Sequence, residues 1–130
     1  IISAILIVLL MITVVGNCLL SVKEYNIALS ELSGSARVAV ISDLHGKEYG
    51  KENKRLLDKI SEQKPDAIFV VGDMLDDNDA DTGFSKTAML LTELLDIAPV
   101  YFSYGNQEKE YSGDVIDGFV NKIKWCYSFR

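Results

Sequence analysis

The sequence lacks several features that would identify common classes of protein. Two cysteines in 130 residues are too few for a disulfide framework. No basic run is present that could neutralise nucleic-acid phosphates, and 19 acidic residues outnumber 13 basic ones, so we expect no nucleic-acid partner. GxGxxG and GxxxxGK[ST] loops are also missing, which excludes those two modes of nucleotide binding. The length allows no more than one ordinary domain.

Charged residues are missing altogether from residues 1–22. Of these 22 residues 17 are apolar, and all 32 charged residues of the protein come after them. A helix rises about 1.5 Å per residue, so this segment would span roughly 33 Å, enough to cross the hydrocarbon core of a bilayer. We therefore predict a single-pass transmembrane helix over residues 1–22, a location in the cell membrane, and an acidic domain over residues 23–130.

Two other interpretations of this apolar segment stay open. A cleaved signal peptide needs small residues before its cleavage site, and Val14 and Gly16 could serve, although the apolar run continues beyond them. A bacterial lipoprotein anchor at Cys18 would place Asn17 where a small glycine or alanine is preferred.

The rest of the chain alternates between strand-like and helix-like patterns. Short apolar runs rich in β-branched and aromatic residues predict strands at Val22–Leu29 (an edge strand), Arg37–Ser42, Ala67–Val71, Val100–Tyr104 and Trp125–Arg130. Apolar residues at helical spacing predict helices at Asn53–Lys64, Phe84–Ile97 and Ser112–Lys122, with a polar loop at Asp73–Gly83. This alternation is typical of βαβ units, so we predict an α/β fold with a mostly parallel sheet.

Polar side chains with metal-binding chemistry follow three of the predicted strands. Asp43 and His45 follow the first, Asp73 follows the second, and Asn106 follows the third. The carboxyl ends of parallel strands meet at one edge of an open sheet, so we expect these side chains to converge there. Carboxylate, imidazole and amide donors suit Mn, Fe, Zn or Mg ions. The pattern predicts a metal site in which Asp73, on the middle strand, bridges two ions.

The segments Asp43-x-His45, Gly72-Asp73 and Gly105-Asn106-x-Glu108 resemble the first three motifs of the calcineurin-like metallophosphoesterases. With the apolar segment in front of them, they resemble more narrowly the bacterial membrane-associated branch of that family. The resemblance implies an α/β/β/α sandwich of two sheets flanked by helices. It also implies hydrolysis of a phosphate-ester substrate at a centre of two divalent metal ions.

The same resemblance implies a role for each site residue. Asp43 and His45 would bind the first ion, Asp73 would bridge both, and Asn106 would bind the second. Gln107 stands where the family has a histidine that stabilises the transition state or, as proton donor, protonates the leaving oxygen. Glutamine can donate a hydrogen bond but gives up no proton at neutral pH. General-acid help is worth roughly 10²–10⁴-fold, so we expect a slow enzyme.

A second departure concerns histidines beyond the third motif. The family supplies further metal-binding histidines from later motifs, whereas no histidine follows His45. We therefore expect residues 23–130 to be the N-terminal part of an incomplete phosphoesterase domain, weak or inactive as it stands.

Three functional hypotheses follow from these residues. The first is a membrane-anchored, metal-dependent phosphoesterase. The second, motivated by Gln107 and the missing later histidines, is a degenerate relative that binds metal without catalysis. The third is a receiver-like α/β module with Asp43 and Asp73 as acidic strand-end residues, which leaves His45 and Asn106 unexplained.

Overall fold

The computed structural model describes residues 3, 5–8, 10–11, 19–30, 33–75, 80–110 and 126–129. Within them the regular elements are β1 (Val38–Ile41), a 3-10 turn (Lys51–Asn53), α1 (Lys54–Glu62), β2 (Ala67–Val71), α2 (Ala80–Leu95), β3 (Val100–Ser103), α3 (Asn106–Glu110) and β4 (Cys126–Phe129).

The four strands form one parallel sheet in the order β1-β2-β3-β4. Val38 pairs with Ala67, Ile68 with Val100, and Val100 with Cys126. Parallel neighbours need crossover connections, which are right-handed almost without exception. Because the strand order follows the chain order, successive crossovers carry their helices to the same face of the sheet. The predicted α/β class with a parallel sheet is confirmed, and this sheet fits half of the expected sandwich.

The hydrophobic core lies between this sheet and the first two helices. Alternate residues of the central strands are fully buried, among them Ile68 and Val70 in β2. Helix α1 buries Leu56 and Ile60, which lie four residues apart and therefore on one side of the helix. Helix α2 contributes Leu90, Leu91 and Leu94.

The other face of the sheet is apolar and exposed, and no described helix or strand covers it. Val38, Val40, Phe69 and Val71 point away from the helices and are 43%, 66%, 41% and 48% exposed. Parallel sheets are normally covered on both faces, so this face departs from the usual arrangement. Its exposure follows from the one-sided placement of the helices.

The predicted edge strand at Val22–Leu29 is wrong. Residues 19–29 form neither helix nor strand, and every residue from 21 to 29 is exposed. An alternating pattern stabilises a strand only when one of its two faces becomes buried. Here the apolar set itself faces solvent, with Tyr25 77% and Ile27 79% exposed.

The predicted loop at Asp73–Gly83 ends earlier than expected, because α2 begins at Ala80 and not at Phe84. A glycine inside a helix, here Gly83, costs about 1 kcal/mol relative to alanine, a cost that the buried leucines of α2 offset.

The other strands and the first helix begin and end within two residues of their predicted bounds. The predicted helix Ser112–Lys122 lies outside the described residues.

Residues 3, 5–8, 10 and 11 are helical and exposed. In the part of the chain that the structure describes, no helix combines the length and the apolar character needed to cross a bilayer. The predicted membrane helix over residues 1–22 also includes positions 1, 2, 4, 9 and 12–18, which lie outside the described residues. It therefore stays a prediction.

Candidate functional site

The loops that follow β1 and β2 run side by side beyond the last residues of the strands. The backbone N–H of Asp43 donates to the carbonyl of Gly72 at 3.2 Å, and that of His45 donates to the carbonyl of Asp73 at 3.1 Å. These bonds hold the two loops in register at the carboxyl edge of the sheet. The backbones that carry three of the predicted metal ligands are therefore adjacent.

Three predicted ligands have a left-handed backbone conformation. Their φ angles are 56° at Asp43, 45° at His45 and 54° at Asp73. This conformation costs a residue with a Cβ atom roughly 1–2 kcal/mol. Strain of this kind clusters at functional sites, where the surrounding structure holds it in place. Glu52, Asn53 and Lys64 share this conformation outside the site, so the angles describe the local turn of the two loops and do not assign a function.

The ends of β2 and β3 approach each other most closely at two glycines. A Cβ atom at Gly72 would collide with the backbone nitrogen and Cα of Gly105, and Gly72 has a φ of +71°. A Cβ atom at Gly105 would collide with the backbone nitrogen and carboxylate of Asp73. The two glycines therefore allow the second and third motifs to come into contact.

Replacing Gly72 with alanine is expected to lower the free energy of unfolding by about 3 kcal/mol, because it adds both backbone strain and a collision with rigid backbone. Urea denaturation followed by circular dichroism measures this loss. Gly34→Ala is the matched control, since Gly34 has a φ of +131° but no atom within 4 Å of the added carbon. Equal losses in the two variants would contradict the close approach.

The carboxylate of Asp73 is the centre of the contacts between the second and third motifs. The backbone N–H of Gln107 donates to its Oδ1 at 3.1 Å. The side-chain amide of Asn106 faces the same carboxylate, and with its nitrogen turned toward Asp73 it donates to both carboxylate oxygens at 3.0 Å. This orientation satisfies both groups, whereas the opposite one would place the amide oxygen against two acceptors. Asp73 and Asn106 therefore lie in contact at the carboxyl edge of the sheet.

The side chains of the first motif lie farther out. Nε2 of His45 is 3.9 Å from Oδ1 of Asp43, and the two side chains are 49% and 65% exposed. Among the described residues, no three histidine, cysteine, aspartate or glutamate side chains are close enough to hold one metal ion. The structure thus brings together the backbones of the first two motifs and the side chains of Asp73 and Asn106, but not all four predicted ligands.

Glu108 is the site residue whose role sequence reasoning missed. Its side chain is buried, with the residue 2% exposed, and its carboxylate accepts four backbone hydrogen bonds. The donors are the N–H groups of Asp73, Met74 and Gly105 at 2.8 Å and of Leu75 at 3.2 Å. A glutamate three residues after a helix-capping position is the spacing of a capping box, and this was the signal available in the sequence.

Helix α3 was not predicted either, because five residues are too few to show a helical period. Its first turn depends on two carboxylates that accept otherwise unpaired N–H groups. Glu108 accepts the N–H of Gly105, and Asp73 accepts that of Gln107. Unpaired N–H groups at a helix start favour such acceptors. These two carboxylates therefore hold the start of α3, with Asn106 and Gln107, beside the end of β2.

A model of the calcineurin-like phosphoesterase family matches residues 36–128. The chain belongs to this family. The match covers all three motifs and the sheet except for Phe129, so the resemblance based on those motifs is confirmed for the family as a whole. A search of curated proteins finds no match to the chain. Membership indicates, at the level of the family, a hydrolase that acts on phosphate esters.

The donor set at the carboxyl edge of this sheet suits the metal chemistry of the family. Two carboxylates, an imidazole and an amide oxygen are donors that Mn, Fe, Zn and Mg accept. The contact between Asp73 and Asn106 places a carboxylate and an amide, both with oxygen donors, side by side at this point. The residues present therefore fit a metal ion.

Proposed function

We propose that the protein is a metal-dependent phosphoesterase that hydrolyses a phosphate ester at the carboxyl edge of its sheet. The contact of the Asn106 amide with both oxygens of Asp73 at 3.0 Å carries the proposal. Asp73 and Asn106 would hold one ion, and Asp43 and His45 would complete the ligands of a two-ion centre bridged by Asp73. Such ions, when bound, supply Lewis-acid chemistry that activates water and polarises the phosphoryl oxygens.

Gln107 limits the help that the protein can give to the departing leaving group. Its backbone N–H donates to the Asp73 carboxylate, and the residue is partly buried. The side-chain amide can donate a hydrogen bond to a phosphoryl oxygen or to the leaving oxygen. It cannot protonate the leaving oxygen, so turnover depends on leaving groups that depart as anions.

Attachment to a membrane through residues 1–22 is part of the proposal. Its support is the absence of charge from a segment in which 17 of 22 residues are apolar. Flotation of the chain with phosphatidylcholine vesicles, but not of a variant that starts at residue 23, is the expected result. Equal flotation of both would overturn the anchor.

The activity is tested on the detergent-purified chain with Mn²⁺ and two aryl esters, p-nitrophenyl phosphate and bis(p-nitrophenyl) phosphate. We expect slow hydrolysis that requires Mn²⁺ and stops with EDTA. The ratio of the two rates separates a monoesterase from a diesterase. No uptake of Mn²⁺ and no hydrolysis, by the native chain and by Gln107→His, would overturn the proposal.

A non-catalytic metal-binding role is the second candidate, favoured by Gln107. It requires that the chain bind Mn²⁺ and hydrolyse neither ester, with Gln107→His equally inactive. The same assay therefore decides between the two candidates.

A further inference from the structure

Glu108 is a buried carboxylate that the proposed reaction does not use. Each of its oxygens accepts two backbone hydrogen bonds: Oε2 from Asp73 and Gly105, and Oε1 from Met74 and Leu75. Burial of a carboxylate is costly unless hydrogen bonds replace its hydration. Four charge-assisted bonds from backbone N–H groups meet that need.

The donors come from the two chain segments that form the site. Three of them are consecutive residues at the end of β2, and the fourth is Gly105 at the end of β3. Three successive N–H groups point to one place only when the backbone turns sharply, which agrees with the φ of 54° at Asp73. The carboxylate therefore stabilises the strained conformation from which Asp73 projects.

Glu108 also belongs to the short helix that carries Asn106 and Gln107. One buried side chain thus fixes the end of β2 and the start of α3 relative to each other. With both oxygens occupied by backbone and 2% of the residue exposed, it has no free surface for a substrate. Any effect of Glu108 on the proposed metal site is therefore indirect, through the residues whose backbone N–H groups it binds.

We propose that Glu108 is a positioning residue that sets the distance between the Asp73 carboxylate and the Asn106 amide, and so the affinity for the metal ion. This inference rests on the proposed function for its metal, while its structural part concerns the four N–H groups alone. An amide in place of the carboxylate keeps one acceptor oxygen and turns an NH₂ group toward the other two donors. Size and shape are preserved, and half of the acceptor capacity is lost.

The test compares Glu108→Gln with the native chain in two measurements. Titration with Mn²⁺ followed by electron paramagnetic resonance should show 10- to 100-fold weaker binding, the usual effect of losing a group that orients a ligand. Hydrogen exchange followed by NMR should show faster exchange for one pair of the four amides, either Asp73 with Gly105 or Met74 with Leu75. Far-UV circular dichroism should be unchanged.

Three variants complete the design. Glu108→Asp keeps the charge at shorter reach and should give intermediate Mn²⁺ affinity, which provides a test if Glu108→Gln does not fold. Glu93→Gln, at an exposed glutamate of α2, should change neither measurement. Leu94→Ala, at a fully buried leucine, should lower Tm without weakening Mn²⁺ binding.

Native Mn²⁺ affinity and native exchange at the four amides in both Glu108 variants would overturn the inference and leave the proposed function standing. Weaker binding by Leu94→Ala in proportion to its loss of Tm would also overturn it, since general destabilisation would then explain the effect. A native chain that binds no Mn²⁺ overturns the proposed function instead, and exchange at the four amides then decides whether Glu108 positions this backbone.

Discussion

Replacing Asp73 with asparagine is expected to weaken Mn²⁺ binding by about 100-fold or more. The change removes the negative charge at the point where the second and third motifs meet. Loss of an orienting group behind a ligand already costs 10- to 100-fold, so loss of a charged ligand that bridges two ions should cost more. The asparagine retains an oxygen that can accept the N–H of Gln107, so the start of α3 should persist. Titration with Mn²⁺, checked by circular dichroism, measures the effect.

Asp66→Asn is the matched control for this variant. Asp66 lies at the opposite end of β2, where its Oδ2 accepts the backbone N–H of Arg37 at 2.7 Å. The same chemical change is thus made at both ends of one strand. Native Mn²⁺ affinity in Asp73→Asn, or an equal loss in Asp66→Asn, would contradict the proposed metal site.

Replacing Gln107 with histidine is expected to raise kcat by roughly 10²–10⁴-fold, the usual value of general-acid catalysis. The backbone bond from residue 107 to Asp73 does not involve the side chain, so the substitution should leave that contact in place. An imidazole with a pKa near the ordinary value of about 6.5 is protonated below that pH and neutral above it. The gain should therefore be largest at acidic pH and should decline as the pH rises.

Hydrolysis of phenyl phosphate, whose leaving group needs protonation more than p-nitrophenolate does, is the sharpest measure of this gain. Gln63→His serves as control, because Gln63 follows α1 and its carbonyl accepts a bond from Arg37. No gain in Gln107→His with native Mn²⁺ affinity would favour the non-catalytic role. A gain with p-nitrophenyl phosphate alone would argue against proton donation.

The sequence predicted the sheet well because its strands are buried on the helix-facing side. Val100 and Phe102 alternate with less buried neighbours, and the flanking Pro99 and Gly105 mark the ends of the run. The stretch containing Tyr25 and Ile27 has a similar composition but pairs with no strand among the described residues, and no local pattern records the presence of a partner. The strand prediction failed there for that reason.

The candidate site was predictable in its position and less so in its detail. The order of the strands was enough to place Asp43, Asp73 and Asn106 at one edge. The left-handed φ angles depend on hydrogen bonds between loops that are distant in the chain. The buried state of Glu108 depends on four N–H groups, three of them supplied from more than 30 residues away. The capping-box spacing indicates only the bond from Gly105, and nothing local to Glu108 indicates the three distant donors.

Each strand of this sheet pairs with the strand that precedes it in the chain, so assembly can follow synthesis on the ribosome. The β1 and β2 pair needs nothing that follows β2 in the chain, so it can form without the third motif. Glu108 lies 35 residues after Asp73, which corresponds to about 2–7 s of translation at 5–20 residues per second. A nascent chain can therefore pair β1 with β2 first, and the turn at Asp73 waits several seconds for the carboxylate that stabilises it.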